Sequence, residues 1–100
     1  MESQKHHPKI FSCEFFPPNT DEGMRKLFAA REELMRMRPS FFSVTYGAGG
    51  STRERTFEAI QAIQAHSGVD AAPHLTCVAS THAGVREILD IYRTQGIHRI

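Results

Sequence analysis

Apolar positions along this chain switch repeatedly between a period of two and a period of 3.6, the pattern of strands alternating with helices. Phe11–Phe16 is rich in β-forming side chains and is stopped by Pro17 and Pro18, which lack the N–H groups a ladder needs. Asn19, with Glu22 three residues later, predicts a helix cap, and Met24, Leu27, Phe28, Leu34 and Met35 then recur on one face. Pro39 lies beyond the end of that helix. Phe41–Tyr46 predicts a second strand, followed by a glycine loop at 47–50 and a capping box of Ser51 and Glu54. The second helix directs Phe57, Ile60 and Ile63 inward and ends near Gly68. Ala72–Val78 predicts a third strand. Val85, Ile88, Leu89 and Tyr92 mark a third helix closed by Gly96, and Ile97–Ile100 begins a fourth strand. Residues 1–8 carry no such pattern and predict a flexible N-terminal tail ahead of a packed unit over 9–100.

Strands joined through helices are expected to be parallel, with right-handed crossovers and the helices on one side, which makes the fold class α/β. Within each strand, alternate positions divide into an apolar and a polar set. Phe11, Cys13 and Phe15 stand against Ser12 and Glu14; Phe42, Val44 and Tyr46 against Ser43 and Thr45; Leu75 and Cys77 against His74 and Thr76. A doubly wound sheet buries both faces, so a consistently polar second face points instead to the lumen of a (β/α)8 TIM barrel. Thr45 follows Glu14 by 31 residues and Thr76 follows Thr45 by 31, a steady βα period. Such barrels take roughly 250 residues. The chain is therefore expected to supply the first three βα units and the start of strand four, as a piece of a longer protein.

Charge narrows the partners. Twelve Lys and Arg against eleven Asp and Glu leave a formal charge of +1, with no basic run to follow a phosphate backbone, so no nucleic-acid partner is expected. The longest apolar run, Leu27–Ala30, is four residues, against the ~18 needed to span a bilayer, and Met1–Lys9 is too polar for a secretory signal. No membrane partner is expected, and the cytoplasm is the expected compartment. Cys13 and Cys77 lack the paired spacing of a zinc or redox site and are expected to be buried and reduced. A closed domain of 11.3 kDa would expose about 5,700 Å².

Glu14 is the sharpest chemical signal. A carboxyl group flanked by Phe11, Phe15 and Phe16 loses solvation, and desolvation favours the neutral acid that a proton donor needs. The plainer alternative is a glutamate paired with a neighbouring Arg or Lys. The loop from Tyr46 to Thr52 enters a helix N-terminus, where backbone donors attract anions, yet it lacks the lysine of a P-loop and the dinucleotide spacing. A plain βα turn is the simpler reading of it. His74 shares a face with Thr76 and is read as either a site residue or a satisfied core histidine. The other histidines show no metal-ligand spacing, and no metal is expected. Arg53 and Arg55 read as solvated surface charges.

Three segments carry a resemblance: Phe11–Pro18, Ser43–Thr56 and Ala71–Cys77, in order. Together they resemble the N-terminal part of the methylenetetrahydrofolate reductases, flavin-dependent (β/α)8 barrels. The resemblance implies a bound FAD that takes hydride from NADH or NADPH and passes it to 5,10-methylenetetrahydrofolate by a ping-pong route. It implies that Glu14 is the general acid that helps open the imidazolidine ring to an iminium form. It matches Thr45 to a position touching the nicotinamide or folate ligand at the flavin face, and Tyr46, Ala48 and His74 to flavin contacts. A homo-oligomer is compatible with it, and further flavin and folate residues would follow Ile100. Two other readings stay open: a barrel with a different pterin or flavin reaction, and a stand-alone α/β interaction module that pairs its open sheet edge with a partner.

Overall fold

In the computed structural model, which describes residues 2–46 and 53–100, three short strands lie side by side. They are β1 (Ser12–Phe15), β2 (Phe41–Val44) and β3 (Asp70–Pro73), ordered β1-β2-β3 with both pairings parallel. Each strand is followed by a helix: α1 (Asp21–Met35), α2 (Arg53–Ser67) and α3 (His82–Thr94). Parallel pairing requires such crossovers, because a tight turn cannot return the chain to the same end of the sheet. The N-terminal stretch that lacks a sequence pattern forms a 3-10 helix over Glu2–His6 with no buried residue.

Caps fix where the helices start. The Thr20 hydroxyl accepts from the Gly23 N–H at 3.0 Å, and Thr81 does the same for Gly84 at 3.0 Å. Thr20, with extended backbone, is therefore the cap of α1, and Asn19, expected from the sequence, stands one residue too early. Ser51 of the expected capping box lies outside the described residues. α2 and α3 each run out into a glycine of positive φ, Gly68 at 67° and Gly96 at 76°.

One side of the sheet carries the core. Phe42, Val44 and Ala71 meet Met24 and Leu27 of α1, Ala59, Ile60 and Ile63 of α2, and Ile88 and Tyr92 of α3 in a single cluster, with Cys13 and Phe15 packed against it. The Phe15 and Phe42 rings stack at 5.4 Å, and the Phe57 and Tyr92 rings meet at 4.9 Å. All three helices thus share one face, as the polar alternation of the strands predicts. The opposite face holds the register row Glu14, Ser43 and Ala72, on which no helix packs among the described residues. At its N-terminal end Arg99 bonds Asp70 at 2.9 Å and stacks 5.1 Å from the Phe41 ring. In that register row Glu14 is exposed while Ser43 and Ala72 are buried, and the chain exposes 7081 Å² in all, well above the surface expected of a closed domain.

Several boundaries depart from the sequence pattern for one reason: a strand lasts only as long as its neighbour pairs with it. β3 ends at Pro73, not Val78, because its pairing with β2 ends at the Val44–Pro73 step. Cys77 consequently lies beyond the strand and is exposed, not buried; Cys13 is half-buried, and both thiols are free. Ile97–Ile100 forms no strand, although Ile97 packs into the core. On α3, Leu89 is 39% exposed, so the inward stripe is carried by Ile88 and Tyr92. The register also replaces the 31-residue period: Glu14 pairs with Ser43 and Ser43 with Ala72, steps of 29 residues each.

Candidate active site

Hydrogen bonds continue the ladder one residue past the end of each strand. The Thr45 N–H donates to the Phe15 carbonyl at 2.9 Å, and the His74 N–H donates to the Val44 carbonyl at 2.9 Å. In a parallel ladder this places Phe16, Thr45 and His74 in one register row. Strand alternation puts that row on the same face as Glu14, Ser43 and Ala72, two residues nearer the C-terminal ends of the strands. Adjacent strands lie about 4.8 Å apart and same-face neighbours about 6.6 Å along a strand, so Glu14, Thr45 and His74 occupy a patch on the order of 10 Å across. The bare face and the C-terminal rim of the sheet therefore coincide at these residues.

Their surroundings differ. Glu14 and His74 are exposed, whereas Thr45 and Tyr46 are half-buried. The flanking rings do not desolvate Glu14 as the sequence suggested. Phe15 alternates to the helix side, where it stacks on Phe42, while Phe16 is 78% exposed and Phe11 is exposed as well. Among the described residues no ion pair reaches Glu14, so the plainer reading of a salt-bridged glutamate has no partner here either. Ala48, and the glycine loop around it, lie outside the described residues. Thr76 is half-buried, and its hydroxyl accepts the Val78 N–H at 3.2 Å in a local turn beyond the end of β3.

Two residues gain roles the sequence reading did not give them. Arg55, expected as a solvated charge, is largely shielded and bonds Asp21 at 2.9 Å and Glu58 at 3.1 Å. The hydrogen bond to Asp21, followed by the nearby carboxylate charge of Glu58, holds its guanidinium above its ordinary range, against the opposing effect of desolvation. Thr56 is 1% exposed, and its hydroxyl donates to the Thr45 carbonyl at 3.4 Å. The signal for Thr56 was present in the spacing: it precedes Ile60 and Ile63 by four and seven residues, a polar residue on an apolar stripe.

Chemically, the patch gathers a carboxyl group, a hydroxyl, an imidazole and the exposed ring of Phe16, with the half-buried Tyr46 next in the chain after Thr45. That set suits a flat heteroaromatic ligand with polar edges better than an ion. Among the described residues no group of three or more His, Cys, Asp or Glu could hold a metal, and no helix is long and apolar enough to cross a membrane.

The sequence profile of the methylenetetrahydrofolate reductases matches residues 1–100. The chain belongs to the methylenetetrahydrofolate reductase family. It is 43% identical over 89 residues to the 5,10-methylenetetrahydrofolate reductase of Escherichia coli (strain K12), covering 89% of this chain and 30% of that protein. Against the 5,10-methylenetetrahydrofolate reductase of Pectobacterium carotovorum the identity is 42% over the same length and the same shares. A plant relative, methylenetetrahydrofolate reductase (NADH) 1 of Arabidopsis thaliana, is 37% identical over 90 residues, which is 90% of this chain and 15% of the relative. The chain thus spans about a third of its bacterial reductase relatives and less of the plant one.

Proposed function

We propose that this chain is the N-terminal portion of a (β/α)8 barrel, with residues 1–8 as its tail, in a flavin-dependent cytoplasmic enzyme that reduces 5,10-methylenetetrahydrofolate to 5-methyltetrahydrofolate. The observation that carries the reading is the coincidence of the bare sheet face with Glu14, Thr45 and His74 at the C-terminal rim, where parallel barrels place their chemistry. Membership of the family supports the choice of substrate class.

FAD fits the patch: Thr45, Tyr46 and His74, with Ala48 beyond the described residues, would hold its ring system. FAD held by these residues would supply hydride transfer between NADH or NADPH and the folate. The chain's own contribution is proton transfer and placement. Glu14, in the row next to Thr45 and His74, gives a proton to the ring nitrogen that leaves as the imidazolidine opens, exposing the electrophilic iminium carbon. Glu14 is exposed on this face, open to a ligand laid against the sheet. Thr45, half-buried at the centre of its row, lines the surface against which nicotinamide and folate alternate.

The test uses the full-length protein. Glu14→Gln keeps the shape of the side chain and removes its acid, so reduction of the flavin by NAD(P)H is expected to stay within a few-fold of wild type while folate reduction falls by at least about a hundredfold. Loss of both half-reactions, or of neither, removes Glu14 from the acid role.

A further inference from the structure

We propose that Thr56 is a positioning residue for the flavin site, its hydroxyl replacing the ladder donor that Pro17 removes and thereby fixing how Thr45 and Tyr46 leave β2. The inference rests on the flavin reading above.

The register supplies the argument. Thr45 stands opposite Phe16, so its N–H reaches Phe15 and its carbonyl is directed to the N–H of the residue after Phe16. That residue is Pro17, which has none. The carbonyl of Thr45 is therefore left without a main-chain donor from β1, at the edge of the core. Burying such an acceptor unpaired is costly, and a partner is expected. Thr56 provides it: from the first turns of α2 its hydroxyl donates to the Thr45 carbonyl at 3.4 Å.

The location of Thr56 leads to the same conclusion. Its neighbours on the inward stripe, Ala59, Ile60 and Ile63, are fully buried and apolar, and Thr56 itself is 1% exposed. A hydroxyl at such a site loses solvation that a valine would not need, unless the hydroxyl is used. Here it ties α2 to the end of β2, so that both main-chain groups of Thr45 are held, its N–H by the Phe15 carbonyl and its carbonyl by the Thr56 hydroxyl. With both held, the side chains of Thr45 and Tyr46 keep one direction at the rim.

The experiment titrates FAD into full-length apoprotein and follows flavin fluorescence and the visible absorption band, with the thermal midpoint recorded alongside. Thr56→Val is expected to weaken FAD binding about three- to tenfold, the loss of one neutral hydrogen bond, and to shift the absorption band, while Thr56→Ser stays within twofold of wild type. If Thr56→Val does not yield folded protein, Thr56→Ser and Thr56→Ala, which differ by the hydroxyl oxygen alone, give the same comparison. Equal FAD affinity with and without the hydroxyl overturns the inference alone, as does a Thr56→Ser variant as weak as Thr56→Val. No FAD uptake by the wild-type protein overturns the flavin-site reading and this inference with it.

Discussion

Arg55 and Asp21 stand 34 residues apart in the chain and meet at 2.9 Å, joining the first turn of α2 to the first residue of α1. Both helix starts lie at the rim that carries Thr45, so this contact braces the site from outside. Asp21 is almost fully exposed, which leaves the pair open to screening by salt. Arg55→Gln is therefore expected to lower the thermal midpoint of the full-length protein at low ionic strength, with the gap to wild type closing by about 0.5 M salt. The guanidinium is held above its ordinary range, so its contribution is present at every pH below that range and is lost only at more alkaline pH. The effect of the substitution should accordingly be flat between pH 6 and 9. A gap that persists at high salt would assign the contact to packing instead of charge.

Gly23 tests how tightly the Pro17-Pro18 turn is folded against α1. A Cβ there would lie 2.7 Å from the Pro18 Cβ and 3.2 Å from the Thr20 hydroxyl. Gly84 occupies the matching place in α3, where a Cβ would meet only the Thr81 hydroxyl, also at 3.2 Å. Alanine favours the helix at both positions by about 1 kcal/mol, so the pair isolates the proline contact. Gly23→Ala is expected to be less stable than Gly84→Ala by about 1–3 kcal/mol in urea denaturation, the usual range for overpacking. Equal stabilities would mean that Pro18 gives way freely.

The element types and their order were legible because each helix stripe and each strand alternation is a local pattern. Met24 with Leu27, Ile60 with Ile63, and Ile88 with Tyr92 all reach the core where periodicity sends them. What local pattern does not contain is the partner. The end of β3 at Pro73 is decided by where its pairing with β2 ends, and the cap at Thr20 by which hydroxyl can reach Gly23. For the candidate site, the polar alternation identified the face bearing Glu14, Thr45 and His74, but not the exposure of Glu14, because Phe15 turns to the helix side and Phe11 and Phe16 are themselves exposed. The part proposed for Thr56 is not legible in the sequence because it follows from Pro17, 39 residues earlier, through a register that only the folded sheet defines.

Arg31 is the charge that the α1 stripe buries. It falls seven residues after Met24 and four after Leu27, so helix geometry turns it inward, where it is 6% exposed. Its guanidinium bonds the exposed Glu32 carboxylate at 2.7 Å and the Ala62 carbonyl of α2 at 3.3 Å, and stacks 5.3 Å from the Phe28 ring. Its Nε is buried without a hydrogen-bond partner. The stem therefore fills space between α1 and α2, while the head incurs a desolvation cost that its contacts only partly offset. Methionine retains most of the stem and removes the charge, and the Ala62 carbonyl keeps its helical donor from His66, within α2. Arg31→Met should thus be at least as stable as wild type, whereas Arg31→Ala, which empties the space, should lose about 2 kcal/mol or more in denaturant unfolding of the full-length protein. If Met and Ala fall together below wild type, the charged head, and not the stem, is what α1 and α2 need from Arg31.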